Sequence, residues 1–272
     1  MTTPLERAVV PARQTSIQVD FEKPPVVETS LGFFFAKIAG WSVLHYGSLW
    51  ERFREKYPLS EFPPPVSEAP FHFEVKTDFS SPLIRACFVD QSKTQLVQVQ
   101  SDLFLHNWRK AAGAADYKHY KEILPGFIQD WQLFCEFLKE RSLARPNVTR
   151  CEISYFNHLV RGVDWEDLSD LSRIFPVWRG FEENSVFSGI QVAGFNVSQA
   201  LPKGRITMTV QPGIRATDGK EILQLTLTVS VIPASSDDPI LFACLDECHH
   251  NAVKGLLYYT SKQAQERWRR RV

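Results

Sequence analysis

The chain has 272 residues, of which 44% are hydrophobic and 23% are charged, and this is typical of a globular protein of one or two domains. Lysine and arginine together number 31, as do aspartate and glutamate, so no net charge favours binding to a nucleic-acid backbone. The first 20 residues lack the apolar stretch of a signal peptide, and no run of 18 apolar residues is present, so we expect a cytoplasmic protein without a signal peptide or a membrane-spanning helix.

The first elements in chain order are an arm, a strand and a helix. Residues 1–23 have no sustained periodicity and predict a tail or a loosely packed arm. Residues 24–35 alternate between apolar and polar side chains, which predicts a strand. Residues 45–58 carry apolar side chains on one helical face and end at a proline, and the consecutive prolines within 62–70 predict a loop.

The next segment has the most distinctive pattern of the chain. Residues 83–110 predict a β-hairpin whose turn lies near Asp90. Residues 96–110 are predicted to be the second strand of this hairpin, and polar side chains recur there at every second position. One set of alternating positions contains Gln98, Gln100, Asp102 and His106.

A long amphipathic helix is predicted over residues 117–141, because apolar side chains recur at intervals of three and four residues. Pro125 predicts a start or a kink of this helix, since proline cannot donate an intrahelical hydrogen bond. We expect Trp131 and Phe134 to be buried against a sheet that includes Val97.

The rest of the chain predicts four strands and two helices. A strand over residues 148–159 precedes a short helix over residues 164–175 that has acidic residues in its first turn. The closing helix begins near Asp238, which can cap it, with Pro239 at the first helical position. The three strands between these helices are predicted over residues 186–198, 204–215 and 221–232.

This order of elements predicts an α+β fold, in which antiparallel sheet packs on long amphipathic helices. The order nearly repeats, so we expect two β-α-β-β-α-like halves. The first is a ferredoxin-like half over residues 24–160. The second covers residues 161–272 and combines a three-stranded meander with the long C-terminal helix. We expect the halves to share one core, or to form one continuous sheet.

Five segments occur in the order PPVVETSLGFFF, LWERFREKYP, LVQVQSDLFLHNWRK, CEISYFNHL and LDECHHNAV. In this order they resemble a sporadically distributed, functionally uncharacterised bacterial protein family of roughly this length. The resemblance covers about residues 24–270, and QVQSDLFLHNWRK is its most specific part. The resemblance implies a mobile gene of the kind found in defence or toxin–antitoxin loci, and it brings no catalytic assignment.

The outward positions of the predicted strands form a candidate binding surface, because amides and hydroxyls outnumber charges there and lysine and arginine are missing. Such a surface suits a partner or a polar ligand held by hydrogen bonds, but the solvent-facing side of an ordinary sheet has the same pattern. Trp108 and Arg109 predict either an anchor for a ligand anion or a packing corner. The other candidate residues are Gln98, Gln100, Asp102, His106, Thr207, Thr209, Gln224 and Thr226.

The segment CLDECHH in the closing helix is the most metal-like string of the chain. Asp246 and His249 share a helix face, as do Cys244 and Cys248. A metal site needs three or four converging ligands, and no second ligand motif is present, so we expect a buried, structural Asp246–His249 hydrogen bond and no metal. The five scattered cysteines favour reduced thiols over a disulfide framework. No nucleophile elbow or phosphate-binding glycine loop is present, so we assign no catalytic residue and no cofactor.

Three functions fit this sequence, and we favour the first. It is a non-enzymatic interaction protein, such as an antitoxin, an immunity protein or an accessory subunit, whose partner is another protein encoded nearby. The second is RNA binding or processing on tandem ferredoxin-like units, with His45, His106 and His158 as available bases, although the zero net charge disfavours RNA. The third is small-molecule binding in a cavity between the sheet and the closing helix.

Overall fold

A computed structural model describes residues 20–66, 84–110, 117–180 and 190–271. Within these residues, nine strands form one antiparallel sheet, and two short strands pair separately. The strands are β1 (Asp20–Phe21), β2 (Val26–Phe35), β3 (Leu59–Glu61), β4 (Ala86–Val89), β5 (Gln95–Gln100), β6 (Leu103–Arg109), β7 (Val148–Val160), β8 (Phe195–Leu201), β9 (Gly204–Ile214), β10 (Glu221–Val231) and β11 (Arg270–Arg271).

The helices of the described residues pack against the sheet and supply the other half of the core, so the fold is α+β, as the sequence predicts. A short 3₁₀ turn over Leu168–Asp170 runs directly into the third helix, where a single helix was expected. The helices are α1 (Leu44–Phe53), α2 (Tyr120–Glu140), α3 (Leu171–Ile174), α4 (Asp238–Tyr259) and α5 (Lys262–Arg267).

The nine strands lie in the order β3-β4-β5-β6-β2-β7-β10-β9-β8, and every neighbouring pair is antiparallel. Pairing of β7 with β10 joins the two parts of the chain into one continuous sheet, which is one of the two expected arrangements. The ferredoxin-like description of the first half, and a boundary near residue 160, stay predictions. Asp20 and Phe21 of the predicted arm pair with β11, and the earlier residues lie outside the described chain.

The predicted strand over residues 96–110 is wrong, because the structure divides it into β5 and β6. Ser101 and Asp102 form a two-residue turn, and Gln100 lies directly opposite Leu103. The turn near Asp90 is confirmed, since the Asp90 carboxylate accepts a hydrogen bond of 2.9 Å from the Gln95 backbone N–H between β4 and β5. The segment is therefore a three-stranded meander.

The helix α2 begins five residues before Pro125, so a start at this proline is wrong, and the alternative, a kink there, stays a prediction. Tyr120 and Ile123 precede Pro125 and are buried. Their burial explains why the helix includes a turn before Pro125, although this proline cannot donate a hydrogen bond. Trp131 and Phe134 are fully buried in the core cluster that also contains Val97, so that prediction is confirmed.

The closing helix also differs from its prediction. Its N-cap is Asp237, while Asp238 accepts a hydrogen bond of 2.9 Å from the Trp131 indole N–H and pairs with Arg145. The helix ends at Tyr259. A second helix, α5, follows, and Ser261 caps its N-terminus, since the Ser261 hydroxyl accepts a hydrogen bond from the Ala264 N–H. β8 begins at Phe195, and part of the strand predicted over 186–198 lies outside the described residues.

The core is one cluster of buried hydrophobic side chains between the helices and one face of the sheet. Its centre is aromatic: the ring of Phe33 on β2 lies edge-on to Trp131 of α2 at 4.8 Å, and Phe104 on β6 stacks on Phe134 at 4.9 Å. Gly255 lets α4 lie close to the sheet, because a Cβ at this position would overlap Ile206. This packing leaves the opposite face of the sheet for polar side chains.

Candidate functional site

The strand registers place most of the predicted polar row on one side of the sheet, opposite the helices. Thr226 lies opposite Thr209, and Gln224 lies opposite Gln211, so their side chains share this side. The same registers connect β10 through β7 and β2 to β6 and β5. They confirm the outer side for Gln98, Gln100, Thr207, Thr209, Gln224 and Thr226, and the same side also carries Glu28, Ser30, Glu152, Ser154 and Thr228.

His106 does not belong to this row, because the turn at Ser101–Asp102 shifts the alternation of β6 by one residue. His106 lies opposite Val97 and therefore faces the helices, and Asp102 lies in the turn itself, where it accepts a hydrogen bond of 3.2 Å from Gln100. Trp108 is also on the helix side, where its ring is edge-on to Tyr117 at 5.6 Å. The structure therefore corrects the grouping of these residues.

Arg109 lies on the outer side, so it cannot stack on Trp108, which occupies the other side. Its guanidinium is 3.8 Å from the carboxylate of Glu61, and Arg85 and Arg150 share the outer side. The expected absence of arginine from this side is thus wrong, and Arg205 on β9 shares the side as well. Burial raises the pKa of the Glu28 carboxyl above its ordinary value, although Asn107 and Arg109 beside it oppose this rise.

Gln98 and Gln100 are buried, at 2% and 1% exposed, so the expectation that they face solvent is wrong. The Gln100 amide exchanges two hydrogen bonds with the backbone of Val66, at 2.7 and 3.2 Å. The Gln98 amide accepts from Arg85 at 2.7 Å and donates to Asn107 at 2.6 Å. These glutamines hold the proline-rich segment against the sheet and are not free to bind a partner.

The part of the outer side on β7, β8, β9 and β10 stays accessible. We call eight residues of this part the polar face; all of them are uncharged and seven of them are half-exposed or exposed. They lie on β7, β10, β9 and β8, and the exposed Arg205 and the half-buried Glu152 border them. The half-buried ring of Phe156 lies opposite Thr226. The polar face consists of Ser154, Asn196, Ser198, Thr207, Thr209, Gln224, Thr226 and Thr228.

Hydrogen bonds between neighbouring side chains fix the orientation of the polar face. The hydroxyls of Ser198 and Thr207 are 3.0 Å apart, and those of Ser154 and Thr228 are 2.8 Å apart. The Asn196 amide donates to the Thr209 hydroxyl at 3.0 Å. Because a hydroxyl can donate one hydrogen bond and accept two, each keeps capacity for a further partner group.

The helix side of the sheet contains a buried polar network that sequence reasoning missed. Asp130 of α2 is only 3% exposed, and its carboxylate lies 2.9 Å from the Nδ1 atom of His106. It also accepts hydrogen bonds from the Tyr57 hydroxyl at 2.5 Å and the Lys56 ammonium at 2.9 Å. Burial raises the pKa of Asp130, but His106 and Lys56 outweigh this and hold it below its ordinary value. A polar residue on the buried face of the α2 pattern, between Phe127 and Phe134, was the available signal.

A groove of about 580 Å³ lies between α2 and α4. It opens to solvent, and apolar side chains of α2 form most of its surface, with polar groups of α4 along one side. This volume is within the range of about 300–1,000 Å³ that is usual for small-molecule sites. We call it the helix groove; its lining residues are Tyr120, Lys121, Leu124, Pro125, Ile128, Gln129, Asp246, His249 and His250.

The predicted Asp246–His249 hydrogen bond is replaced by two bonds to tyrosines of other elements. The Tyr120 hydroxyl donates to Asp246 at 2.8 Å, and the Tyr155 hydroxyl lies 2.7 Å from the Nδ1 atom of His249. The ring of Tyr120 stacks on His249 at 4.3 Å. Asp246 is exposed rather than buried, so the expected buried structural pair is wrong.

Burial lowers the pKa of His249 to about 4, so its imidazole is neutral at physiological pH. Burial also raises the pKa of Tyr155 well above its ordinary value, so this phenol keeps its proton. The helix groove is therefore lined by a neutral imidazole, which is hydrogen-bonded to the neutral phenol of Tyr155. With its low pKa, His249 does not accept a proton readily from a substrate near neutral pH, but its neutral ring can hydrogen-bond to a ligand.

The other residues considered for chemistry are dispersed. His158 lies on the outer side of the sheet, His106 on the helix side, and His45 near the start of α1, where it hydrogen-bonds to Ser42. Burial raises the pKa of the Cys135 thiol to about 12, and Cys151 and Cys248 are shifted upward too. In the described part of the chain, no three histidine, cysteine or acidic side chains converge as metal ligands.

None of the helices in the described segments is long and apolar enough to cross a membrane. Comparisons with protein families, with curated proteins and with solved structures found no significant match. The polar face and the helix groove are therefore interpreted from their geometry alone.

Proposed function

We propose that this chain is a non-enzymatic interaction protein that binds another protein through the polar face. The observation that carries this proposal is an accessible, uncharged surface of hydroxyls and amides across four adjacent strands, with the half-buried ring of Phe156 within it. An aromatic ring surrounded by polar groups is a common arrangement at the centre of protein interfaces.

The cross-strand hydrogen bonds of the polar face support this proposal. They hold Ser198 against Thr207, and Asn196 against Thr209, before any partner arrives. Fewer side-chain rotamers are then lost on association, which lowers the entropic cost of binding. The kind of partner proposed is a protein encoded by a neighbouring gene, with this chain acting as an antitoxin, an immunity protein or an accessory subunit.

Co-expression with the products of adjacent genes, one at a time, tests this function by size-exclusion chromatography and titration calorimetry. The variant Thr209→Lys/Thr226→Lys places two charges on neighbouring strands within the polar face. We expect it to weaken binding at least tenfold, a change of about 1.4 kcal/mol, because the charges lose hydration in the interface without pairing. The control Gln132→Lys adds a charge to an exposed position of α2 and should bind like the wild type.

Two results would count against this function. In the first, no neighbouring gene product binds the wild-type chain. In the second, a partner binds the double variant and the wild type equally well, and the polar face is then simply the solvent-facing side of the sheet.

The helix groove favours a second candidate function, the binding of a small molecule. Its apolar side chains and neutral His249 suit a ligand with an apolar body and a polar end. A ligand at 100 times its dissociation constant adds about 2.7 kcal/mol to stability, so a thermal-shift screen with metabolites detects it. We expect Leu124→Glu, a change in the groove lining, to abolish the shift, while Thr209→Lys leaves it unchanged. A panel without any hit that depends on Leu124 would remove this candidate.

A further inference from the structure

The two edges of the nine-stranded sheet differ in their protection. The edge strand β3 has three residues and is flanked by Pro58 and by the prolines after Phe62, which limit pairing with another strand. The edge strand β8 has seven residues, FNVSQAL, with neither a proline nor a charge. In the described residues, β9 is the only strand that pairs with β8, so the other edge of β8 has no partner strand. An unprotected edge of this length is a template for another strand.

The turn after β8 shows which backbone groups point outward. Leu201 and Gly204 close a two-residue turn, and such a closing pair is hydrogen-bonded in a tight hairpin. The backbone groups of alternate residues from Leu201 backward therefore bind β9. The backbone N–H and C=O groups of Ala200, Ser198 and Asn196 point away from β9, towards the free edge of the sheet.

We propose that β8 pairs antiparallel with β8 of a second copy of this chain, with Ser198 on the two-fold axis. In this register Ser198 faces Ser198 of the second copy, and Asn196 faces Ala200, so all three outward residues exchange backbone hydrogen bonds. Phe195 then lies opposite Leu201 of the second copy on the helix side of the sheet. No charge faces a like charge in this pairing, because the strand has no charged residue.

The surroundings of β8 supply apolar surface for this contact. Phe195, Val197 and Leu201 are only partly buried, and they pack against the core on their inner sides. Exposed Tyr258 lies next to Tyr259, whose hydroxyl donates to Gln199 of β8 at 2.7 Å. The second copy would cover these groups, and the two sheets would form one continuous sheet with a polar face on each half.

The mass of the purified chain in solution is the first test, by sedimentation and light scattering across a range of concentrations. We expect a species of twice the 31.2 kDa chain mass. Ser198→Pro removes an outward N–H without removing a backbone hydrogen bond within the chain, and it loses only the exposed Ser198–Thr207 hydroxyl contact, so it should give a folded monomer. The control Ser198→Ala keeps the N–H and should remain a dimer. A wild-type monomer at every concentration would overturn the proposal.

Cysteine crosslinking tests the register without relying on proline. In a hydrogen-bonded antiparallel pair the Cα atoms lie about 5.5 Å apart, which suits a disulfide. Ser198→Cys should therefore form a covalent dimer under mild oxidation. In Ala200→Cys the two thiols would lie roughly 13 Å apart along the strands, so this matched variant should not crosslink. A dimer in which Ser198→Cys fails to crosslink, or Ala200→Cys crosslinks equally well, would place the interface elsewhere. The polar-face variants at Thr209 and Thr226 lie on β9 and β10, so failure of this test leaves the proposed function separately testable.

Discussion

Replacement of Asp130 by asparagine tests whether the buried network on the helix side stabilises the fold. The carboxylate is 3% exposed and serves three donors, from Tyr57, His106 and Lys56. An asparagine keeps the shape but presents an N–H₂ group to one of these donors and leaves Lys56 without its counter-charge. Lys56 is 42% exposed, so the main cost is a buried donor left without an acceptor, which is typically about 1–3 kcal/mol, and we expect Asp130→Asn to lie in this range.

The matched control is Asp246→Asn, in which another aspartate also accepts a hydrogen bond from a tyrosine. Asp246 is exposed, so its loss should cost less than about 1 kcal/mol. Urea denaturation near neutral pH, followed by tryptophan fluorescence and circular dichroism, measures both free energies of unfolding. Equal losses for Asp130→Asn and Asp246→Asn would refute the argument from burial.

The pH dependence of Asp130→Asn gives a second, independent measurement. The folded-state pKa of Asp130 lies below its ordinary value of 3.8, so the carboxylate stabilises the fold above that value. Its contribution is lost as the pH falls through the folded-state pKa. The difference in stability between wild type and Asp130→Asn should therefore be full near neutral pH and shrink below about pH 4. A difference that stays constant down to lower pH would show that the charge is not its source.

Further outcomes follow from burial and charge elsewhere in the chain. Trp131→Ala should cost about 3–5 kcal/mol in urea denaturation, because it removes the largest fully buried side chain of the core. Gln98→Lys should cost more than about 1 kcal/mol, because it buries a charge, whereas Thr209→Lys should change stability by less than about 0.5 kcal/mol; equal melting temperatures would contradict this. The pKa of His249 falls from 6.5 to about 4 on folding, so stability from its neutral form is present above pH 6.5 and is lost as the pH falls towards 4. His249→Gln should flatten the stability profile in this window, and an unchanged profile would argue against the burial of the imidazole.

The alternation of side chains by itself determined which face of most strands meets the helices. Ile206, Met208 and Leu225 had to be buried, so Thr207 and Thr226 had to lie on the other side, and the registers agree. Trp131 and Phe134 followed in the same way from the helical period of α2. These features depend only on spacing along the chain, which the sequence contains completely.

The turn between β5 and β6 depends on the local conformation of two residues, and the periodicity of side chains does not predict it. The spacing from Gln98 to His106 fits one strand, but the turn at Ser101 and Asp102 moves His106 to the helix side. Serine and aspartate favour turns through their short polar side chains, so a weak signal for this break was present.

The accessible site depended on contacts between residues far apart in sequence. Val66 covers Gln100 from 34 residues away, and Asp130 joins Tyr57 from 73 residues away. Whether a polar side chain meets water or a buried partner is set by these distant segments, since burial is a property of the whole packed chain. For this reason Gln98 and Thr226 look alike in the sequence, while only Thr226 lies on an accessible surface.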